Sequence, residues 1–375
     1  MKNLNNPFVT YGYKGAKYFC DRQKETEKVM SGLENERNIT LIAPRRIGKT
    51  GLIHHVFAQI QEQHPEVKCF YIDIFATKNL TQLVQLLAHQ VIGKLESPTH
   101  AALRKVSDFF ASFRPTVTFD ANSGLPTFSL YIAENEQEQT LQRIFEYMKN
   151  SGKRCYVALD EFQQITEYPE SGTEGLLRSY IQFLPNVYFI FAGSQQHMMT
   201  DMFLSAKRPF YQSSQIVTLD EIDETEYYNF SSNFFREIDA EFPVDVFHYL
   251  YDKLEGQTWY LQVTLNRVYA IKPKVIARQD IDDAIDQLIN EQATAFENYY
   301  SSLTDNQCDL LLAIAHEGKV ASPMANSFLK KYHLKAASSV KTALTALTER
   351  QLVYRYRGNY IVYDRFFAMW LRNTI

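Results

Sequence analysis

Cysteine is scarce in this chain, and what there is lies scattered. The four cysteines in 375 residues, Cys20, Cys69, Cys155 and Cys308, are far apart and form no C-x-x-C pair. That argues against a disulfide framework or a zinc site and fits a reducing compartment. No apolar run reaches the roughly 18 residues of a membrane-spanning helix, so no membrane partner is expected. The opening MKNLNNPFVTYGYKG lacks a charged segment followed by an apolar one, so no signal peptide is expected and a cytoplasmic location is. Internal repeats and low-complexity tracts are missing too, which sets aside solenoids and linker-like disorder.

The composition is that of a globular protein, with 45% hydrophobic and 22% charged residues and an aromatic share dominated by 26 Phe and 24 Tyr. Such aromatics favour large buried contacts. At roughly 150 residues per domain, the length suggests two or three domains. Charge is uneven. From Lys319 to Ile375 there are ten Lys/Arg against two Asp/Glu, a net of +8, which leaves −12 for the rest of a chain whose total is −4. A basic C-terminal module on an acidic body points to an anionic partner.

The first 220 residues alternate short β-like runs with helical spacing, the pattern of a parallel α/β sheet. Strands are expected at Ile39–Ala43, Val67–Phe75, Arg154–Asp160, Val187–Gly193 and Gln215–Leu219, with the clearest helices at Thr50–Gln63 and Leu80–Leu95. Residues 115–132 read as an inserted β-hairpin around an Asn-Ser-Gly turn. From Asp220 to Asn290 four helices follow one another. Beyond about Phe296, helices at 304–316, 323–332 and 336–351 precede two strands around Arg357-Gly358-Asn359, the order of a winged helix. The expected domains are therefore 1–220, 221–295 and 296–375.

The chemistry starts at ITLIAPRRIGKTGL, Ile39–Leu52. A β run passes into a loop ending Gly-Lys-Thr and then into a long helix, the context of a phosphate-binding loop. Pro44, Arg45, Arg46, Ile47, Gly48, Lys49, Thr50 and Gly51 are the expected cradle, with backbone N–H groups and the helix dipole facing phosphate oxygens. Lys49 would reach the β/γ-phosphates and Thr50 would hold Mg²⁺. Gly48 is expected to be glycine because a Cβ would crowd the phosphate. Ala43 stands where the pattern has glycine, and whether it fits depends on its φ.

The second signal is CYVALDEFQQI, whose strand ends in Asp160-Glu161, at the sheet edge where open α/β sheets bind ligands. Asp160 is expected to hold Mg²⁺ and Glu161 to polarise an attacking water, which favours hydrolysis over transfer to a hydroxyl. The third is FIFAGSQQHM, where Ser194 or Gln195 would sit near the γ-phosphate if this strand neighbours the loop strand. Asp73, at the end of YIDIF, is a candidate for support at the same edge.

In this order, the motifs F-x-D-R-x-x-E (Phe19, Asp21, Arg22, Glu25), A-P-R-R-I-G-K-T, ALDEFQ, FAGS and the tail YIVYDRFFAMWLR resemble the prokaryotic P-loop ATPases called archaeal-type ATPases, of the AAA+/STAND branch. The resemblance covers nearly the whole chain. It implies an α/β P-loop NTPase core with a parallel sheet, a helical lid and a winged-helix domain. It further implies ATP and Mg²⁺ as cofactors, with ATP between core and lid and Phe19 and Arg22 near the adenine. Lys49, Thr50, Asp160, Glu161 and Ser194 inherit the family's catalytic and binding roles. Two positions depart from the pattern. Gln212 and Ser213 stand where the family often has arginine, leaving Arg208 or Arg178 as replacements, and Thr258 replaces a proline at the lid.

In the winged helix, Ser338, Ser339, Lys341, Thr342, Thr345 and Arg350 lie on the expected recognition helix. Arg355 and Arg357 alternate with Tyr354 and Tyr356 on the wing. Lys341, Thr342, Arg355 and Arg357 are the candidate contacts to double-stranded DNA. Two other readings stay open: a DNA-binding regulator that holds nucleotide only structurally, and a scaffold for a protein partner or for a second copy of the chain.

Overall fold

The structure, a computed structural model, describes residues 4–95, 108–110, 115–119, 126–130, 132 and 136–374. It divides into two compact units, one of Tyr11–Tyr227 and one of Met1–Thr10 with Tyr228–Ile375.

The first unit is built on helices α1 (Gln23–Glu34), α2 (Lys49–Gln63), α3 (Leu80–Leu95), α4 (Gln137–Asn150), α5 (Thr173–Ile181) and α6 (Gln196–Leu204). Its strands are β1 (Ile39–Ile42), β2 (Lys68–Asp73), β3 (Pro115–Phe119), β4 (Pro126–Leu130), β5 (Cys155–Asp160), β6 (Val187–Gly193) and β7 (Gln215–Thr218). Five of them form a parallel sheet in the order β2-β5-β6-β1-β7. β3 and β4 pair antiparallel as the inserted hairpin. The expected turn between them lies outside the described residues.

Every residue of β5 and β6 is buried, because helices cover both faces of a parallel sheet and its inner strands are apolar throughout. Alternation sorts the side chains. Val157, Leu159, Phe189 and Phe191 pack with α3 and α4 on one face. Tyr156, Ala158, Ile190 and Ala192 pack with α1 and α2 on the other. The register aligns the strand ends: Ile42 lies opposite Gly193, and Asp73 opposite Asp160. The loop after β1, the acids ending β5 and the serine after β6 thus leave the sheet along one edge. β6 is the direct neighbour of β1, as the reading of Ser194 required.

In the second unit, α7 (Glu224–Arg236, which begins in the first unit), α8 (Val244–Lys253), α9 (Thr258–Ile271) and α10 (Arg278–Asn290) are the four expected helices. The winged helix has α12 (Asp305–Glu317), α13 (Asn326–Lys331), α14 (Ala337–Glu349) and the hairpin β8 (Val353–Tyr356) and β9 (Asn359–Val362). Thr304 and Gln307 close a capping box at the start of α12. Two further helices, α11 (Ala293–Ser301) and α15 (Arg365–Thr374), were not anticipated. Residues 221–295 and 296–375, expected as separate domains, share this unit from Tyr228 on.

The N-terminal segment belongs here as well. Phe8 is buried against Phe234, Phe235 and Tyr269. Asn6 Nδ2 donates to the Asn266 carbonyl, and Asn266 Nδ2 donates back to the Phe8 carbonyl, both at 2.8 Å.

Candidate functional site

The loop leaves β1 at Ala43, which is buried and is not among the residues with positive φ. Glycine's conformational freedom is therefore unnecessary at this position, and alanine fits. Gly48 does need that freedom, at φ +102°. A Cβ at Gly48 would meet no protein atom within 4 Å, so within the protein itself it is the backbone conformation that requires the glycine. Gly48 caps α2 without any side-chain hydrogen bond to the helix start. The first turn of α2 thus begins with no side-chain cap for its N–H groups, an anion-receptive end.

Lys49 opens α2 and is only 6% exposed. Its Nζ donates to Asp160 Oδ1 at 2.9 Å and to Glu161 Oε1 at 3.1 Å. Thr50 Oγ1 donates to Asp160 Oδ2 at 2.8 Å, and so does Tyr71 OH from the neighbouring β2. Glu161, in a left-handed conformation, receives Ser194 Oγ at 2.7 Å and Gln163 Nε2 at 2.6 Å on its Oε2. Arg45 Nε donates to Ser194 Oγ at 3.2 Å. Lys49, Thr50, Asp160, Glu161, Ser194 and Arg45 therefore form one connected cluster.

Burial drives the Asp160 carboxyl up. The Lys49 ammonium and the hydrogen bonds from Lys49, Thr50 and Tyr71 outweigh it, so the group ends below its ordinary value. Glu161 follows the same balance, with Lys49, Ser194 and Gln163 overcoming desolvation. Both carry full charge at neutral pH. Asp73, on the same edge, goes the other way, because its burial dominates the hydrogen bond from the Phe75 N–H.

Arg22 is 3% exposed and braces the loop, its Nη2 donating to the Ile47 carbonyl at 3.0 Å and its Nη1 pairing with Glu25 at 3.2 Å. Phe19 stacks on His55 of α2 with ring centroids 4.4 Å apart, and the Tyr13 hydroxyl lies 2.9 Å from His55 Nδ1. Phe19 also lies 3.2 Å from where a Cβ on Gly51 would stand, so it packs on the first turn of α2. Arg208 is engaged elsewhere, pairing with Glu174 and, at 3.5 Å, with Asp201. Arg178 bonds Gln182 on its own helix. Gln212 and Ser213 join the turn after α6 through the carbonyls of Phe203 and Phe210.

The sequence reading missed Tyr71 and Gln163, both in direct contact with the acids. Tyr71 had a signal: it lies two residues before Asp73, on a strand ending at the same edge.

In the winged helix, Ser338, Lys341, Thr342 and Thr345 are exposed along one face of α14, with i, i+3, i+4 and i+7 spacing. Arg355 lies over Tyr360 and Arg357 over Tyr356. The +8 is smaller at the surface than in the sequence. Arg365 is buried and pairs with Glu255, Lys319 pairs with the same Glu255, and Lys331 pairs with Glu317. Arg350, at the C-terminal end of α14, bonds Ser302.

Among the described residues, no helix is long and apolar enough to cross a membrane. Nor does any cluster of three or more His, Cys, Asp or Glu there suit a metal held by the protein alone.

A family model described as "ATPase domain predominantly from Archaea" matches residues 19–263, and one described as "Probable winged helix domain" matches residues 294–373. An uncharacterised ATP-binding protein of Methanocaldococcus jannaschii is 26% identical over 76% of this chain and 87% of its own length. Among solved structures, the Walker-type ATPase of Pyrococcus abyssi superposes with a TM-score of 0.65 at 18% identity, covering 98% of this chain and 99% of that one. The Aeropyrum pernix ORC2 protein, in ADPNP–ADP complexes, gives 0.62 at 15% identity over 97% and 95%. The Aeropyrum pernix ORC1 protein in complex with DNA gives 0.56 at 11% identity over 98% and 96%.

Proposed function

The chain belongs to the archaeal-type P-loop ATPase family, with a winged-helix domain after its ATPase domain, and from that premise we propose that it is a Mg-ATP-driven switch of the AAA+/STAND type. The observation that carries the hydrolysis reading is the cluster of Lys49, Thr50, Asp160, Glu161 and Ser194 at one strand edge.

The residues suit a magnesium nucleotide. The start of α2 has no side-chain cap, and Lys49 is held by acids that an incoming phosphate can replace. Thr50 Oγ1 and Asp160 are two oxygen ligands of the kind Mg²⁺ takes when phosphate and water complete its shell. Bound there, Mg²⁺ would offset charge on the phosphate oxygens.

Lys49 would leave the carboxylates for the β- and γ-phosphates. Losing the Lys49 cation makes Glu161 a stronger base. Glu161 then takes a proton from a water whose oxygen attacks the γ-phosphorus. The bond from that phosphorus to the bridging β-oxygen breaks, and ADP leaves with the electron pair. Ser194, already bonded to Glu161, would orient the carboxylate.

The test is steady-state phosphate release. Wild type should turn over ATP. Lys49→Ala should lose nucleotide affinity and turnover together, and Glu161→Gln should keep affinity while losing at least ~10²-fold in kcat. Equal rates in all three would sink the hydrolysis reading.

A second reading has its own support in Gln212 and Ser213 and in the engagement of Arg208 with Glu174. It is a nucleotide-dependent DNA-binding regulator with little hydrolysis. Tight nucleotide binding without turnover by wild type would favour it.

A further inference from the structure

We propose that Arg45 supplies the γ-phosphate cation of this site from within its own phosphate-binding loop, the role left open by Gln212 and Ser213. The inference rests on the ATPase reading above and goes further by naming the group that distinguishes triphosphate from diphosphate.

Arg45 stands in the turn between β1 and α2, half-buried. Its Nε donates to Ser194 Oγ at 3.2 Å, and Ser194 donates onward to Glu161 Oε2 at 2.7 Å. The guanidinium is thus two hydrogen bonds from Glu161, the carboxylate that would polarise the attacking water. The Phe75 ring flanks it, 5.8 Å from Arg45 Cζ, at the edge where β2, β5 and β6 end. Three other arginines considered for the site have different work. Arg22 holds the Ile47 carbonyl, Arg208 pairs with Glu174, and Arg178 bonds Gln182.

Charge makes the same point. Lys49 and Arg45 together only balance Asp160 and Glu161. Charge developing on the equatorial oxygens of a transferring phosphoryl group is stabilised best by a preorganised, planar donor fork. A γ-phosphate oxygen would take over the bond that Arg45 now makes to Ser194. The diphosphate has no such oxygen, so Arg45 should favour ATP over ADP.

The experiment measures ATP and ADP affinity by calorimetry, turnover by phosphate release, and trapping of ADP with aluminium fluoride, on the full chain. Arg45→Ala should keep ADP affinity within about threefold and lose the preference for ATP. It should fail to trap ADP–aluminium fluoride and lose about 10³-fold in kcat, the scale of an arginine acting on phosphoryl transfer. Arg45→Lys keeps the charge without the fork and should recover part of the ATP preference, which also controls for misfolding. Lys49→Ala, in contrast, should lose both nucleotides. An Arg45→Ala protein with wild-type turnover, or with the ATP preference intact, overturns the assignment. If wild type binds both nucleotides but hydrolyses neither, the ATPase reading fails alone and the affinity ratio still decides for Arg45. If wild type binds neither nucleotide, both fall.

Discussion

Lys49 is the residue on which the site's electrostatics turn. Asp160 is 2% exposed, and Glu161 follows it directly, so two adjacent carboxylates are held ionised chiefly because one ammonium lies between them. Because their folded-state values lie below the ordinary 3.8 and 4.5, the stability they contribute is fully present above those values. It is lost as pH falls through the lower folded-state values. Removing Lys49 takes away the largest opposition to burial and leaves only the hydrogen bonds from Thr50, Tyr71, Ser194 and Gln163, so both carboxyls shift upward and the variant loses less than wild type as they protonate. The nucleotide-free Lys49→Ala protein should be about 3 kcal/mol less stable than wild type at neutral pH. That gap should narrow as pH falls towards 4. Asp73, whose carboxyl is raised, is present in both proteins and largely cancels in the difference. Urea titrations of the two at several pH values check this, and a gap constant with pH would refute the account. These side chains were legible in the sequence because Gly-Lys-Thr and a strand ending Asp-Glu report chemistry by residue type. Tyr71 and Gln163 were less so: Tyr71 shares a strand face with Asp73, but its contact with Asp160 depends on strand order, and that of Gln163 with Glu161 depends on a short 3₁₀ turn.

At the level of elements, the reading worked where pattern alone decides. β6 was found at its observed limits, and β1, β5 and α2 within a residue, because continuous apolar runs and helical spacing report burial on two faces or one. The helices α11 and α15 escaped. Each is at most ten residues long, too short to be stable alone, and forms by packing: Phe296 of α11 against Phe367 and Trp370 of α15. An element boundary at the active site offers a test. β6 ends at Gly193, where a Cβ would lie 2.4 Å from Gln163 Oε1 and 2.5 Å from the Met199 side chain. Gly193→Ala must push both the Gln163 and the Met199 side chains aside, at a cost of ~1–3 kcal/mol. Because Gln163 Nε2 bonds Glu161, it should also lower ATP turnover. Gly175→Ala in α5, with nothing within 4 Å of the added Cβ, should be neutral or stabilising by a few tenths of a kcal/mol. Equal unfolding midpoints for the two variants would refute the packing argument.

For the molecule as a whole, the sequence suggested a basic end, and the structure reduces it to particular side chains. With Arg365, Lys319 and Lys331 paired to acids, seven of the ten Lys and Arg remain, among them Lys341 on α14 and Arg355 and Arg357 on the wing, beside the exposed Ser338, Thr342 and Thr345. The tie of Phe8 to Phe234, Phe235 and Tyr269 also belongs to this scale. It was illegible because a single aromatic in a polar segment has no period, and its partners lie more than two hundred residues away. If the winged helix docks on duplex DNA through that face, each Lys or Arg meeting a phosphate adds about −0.9 to the slope of log affinity against log salt. Replacing Lys341, Arg355 and Arg357 together with alanine should therefore flatten the slope by about 2–3 and weaken binding most at low salt. ATP turnover, which depends on residues of the other unit, should stay unchanged. Fluorescence anisotropy on a short labelled duplex across a salt series measures both affinity and slope. Unchanged affinity and slope in the triple variant would remove this face as the DNA contact and favour a protein partner for the winged helix.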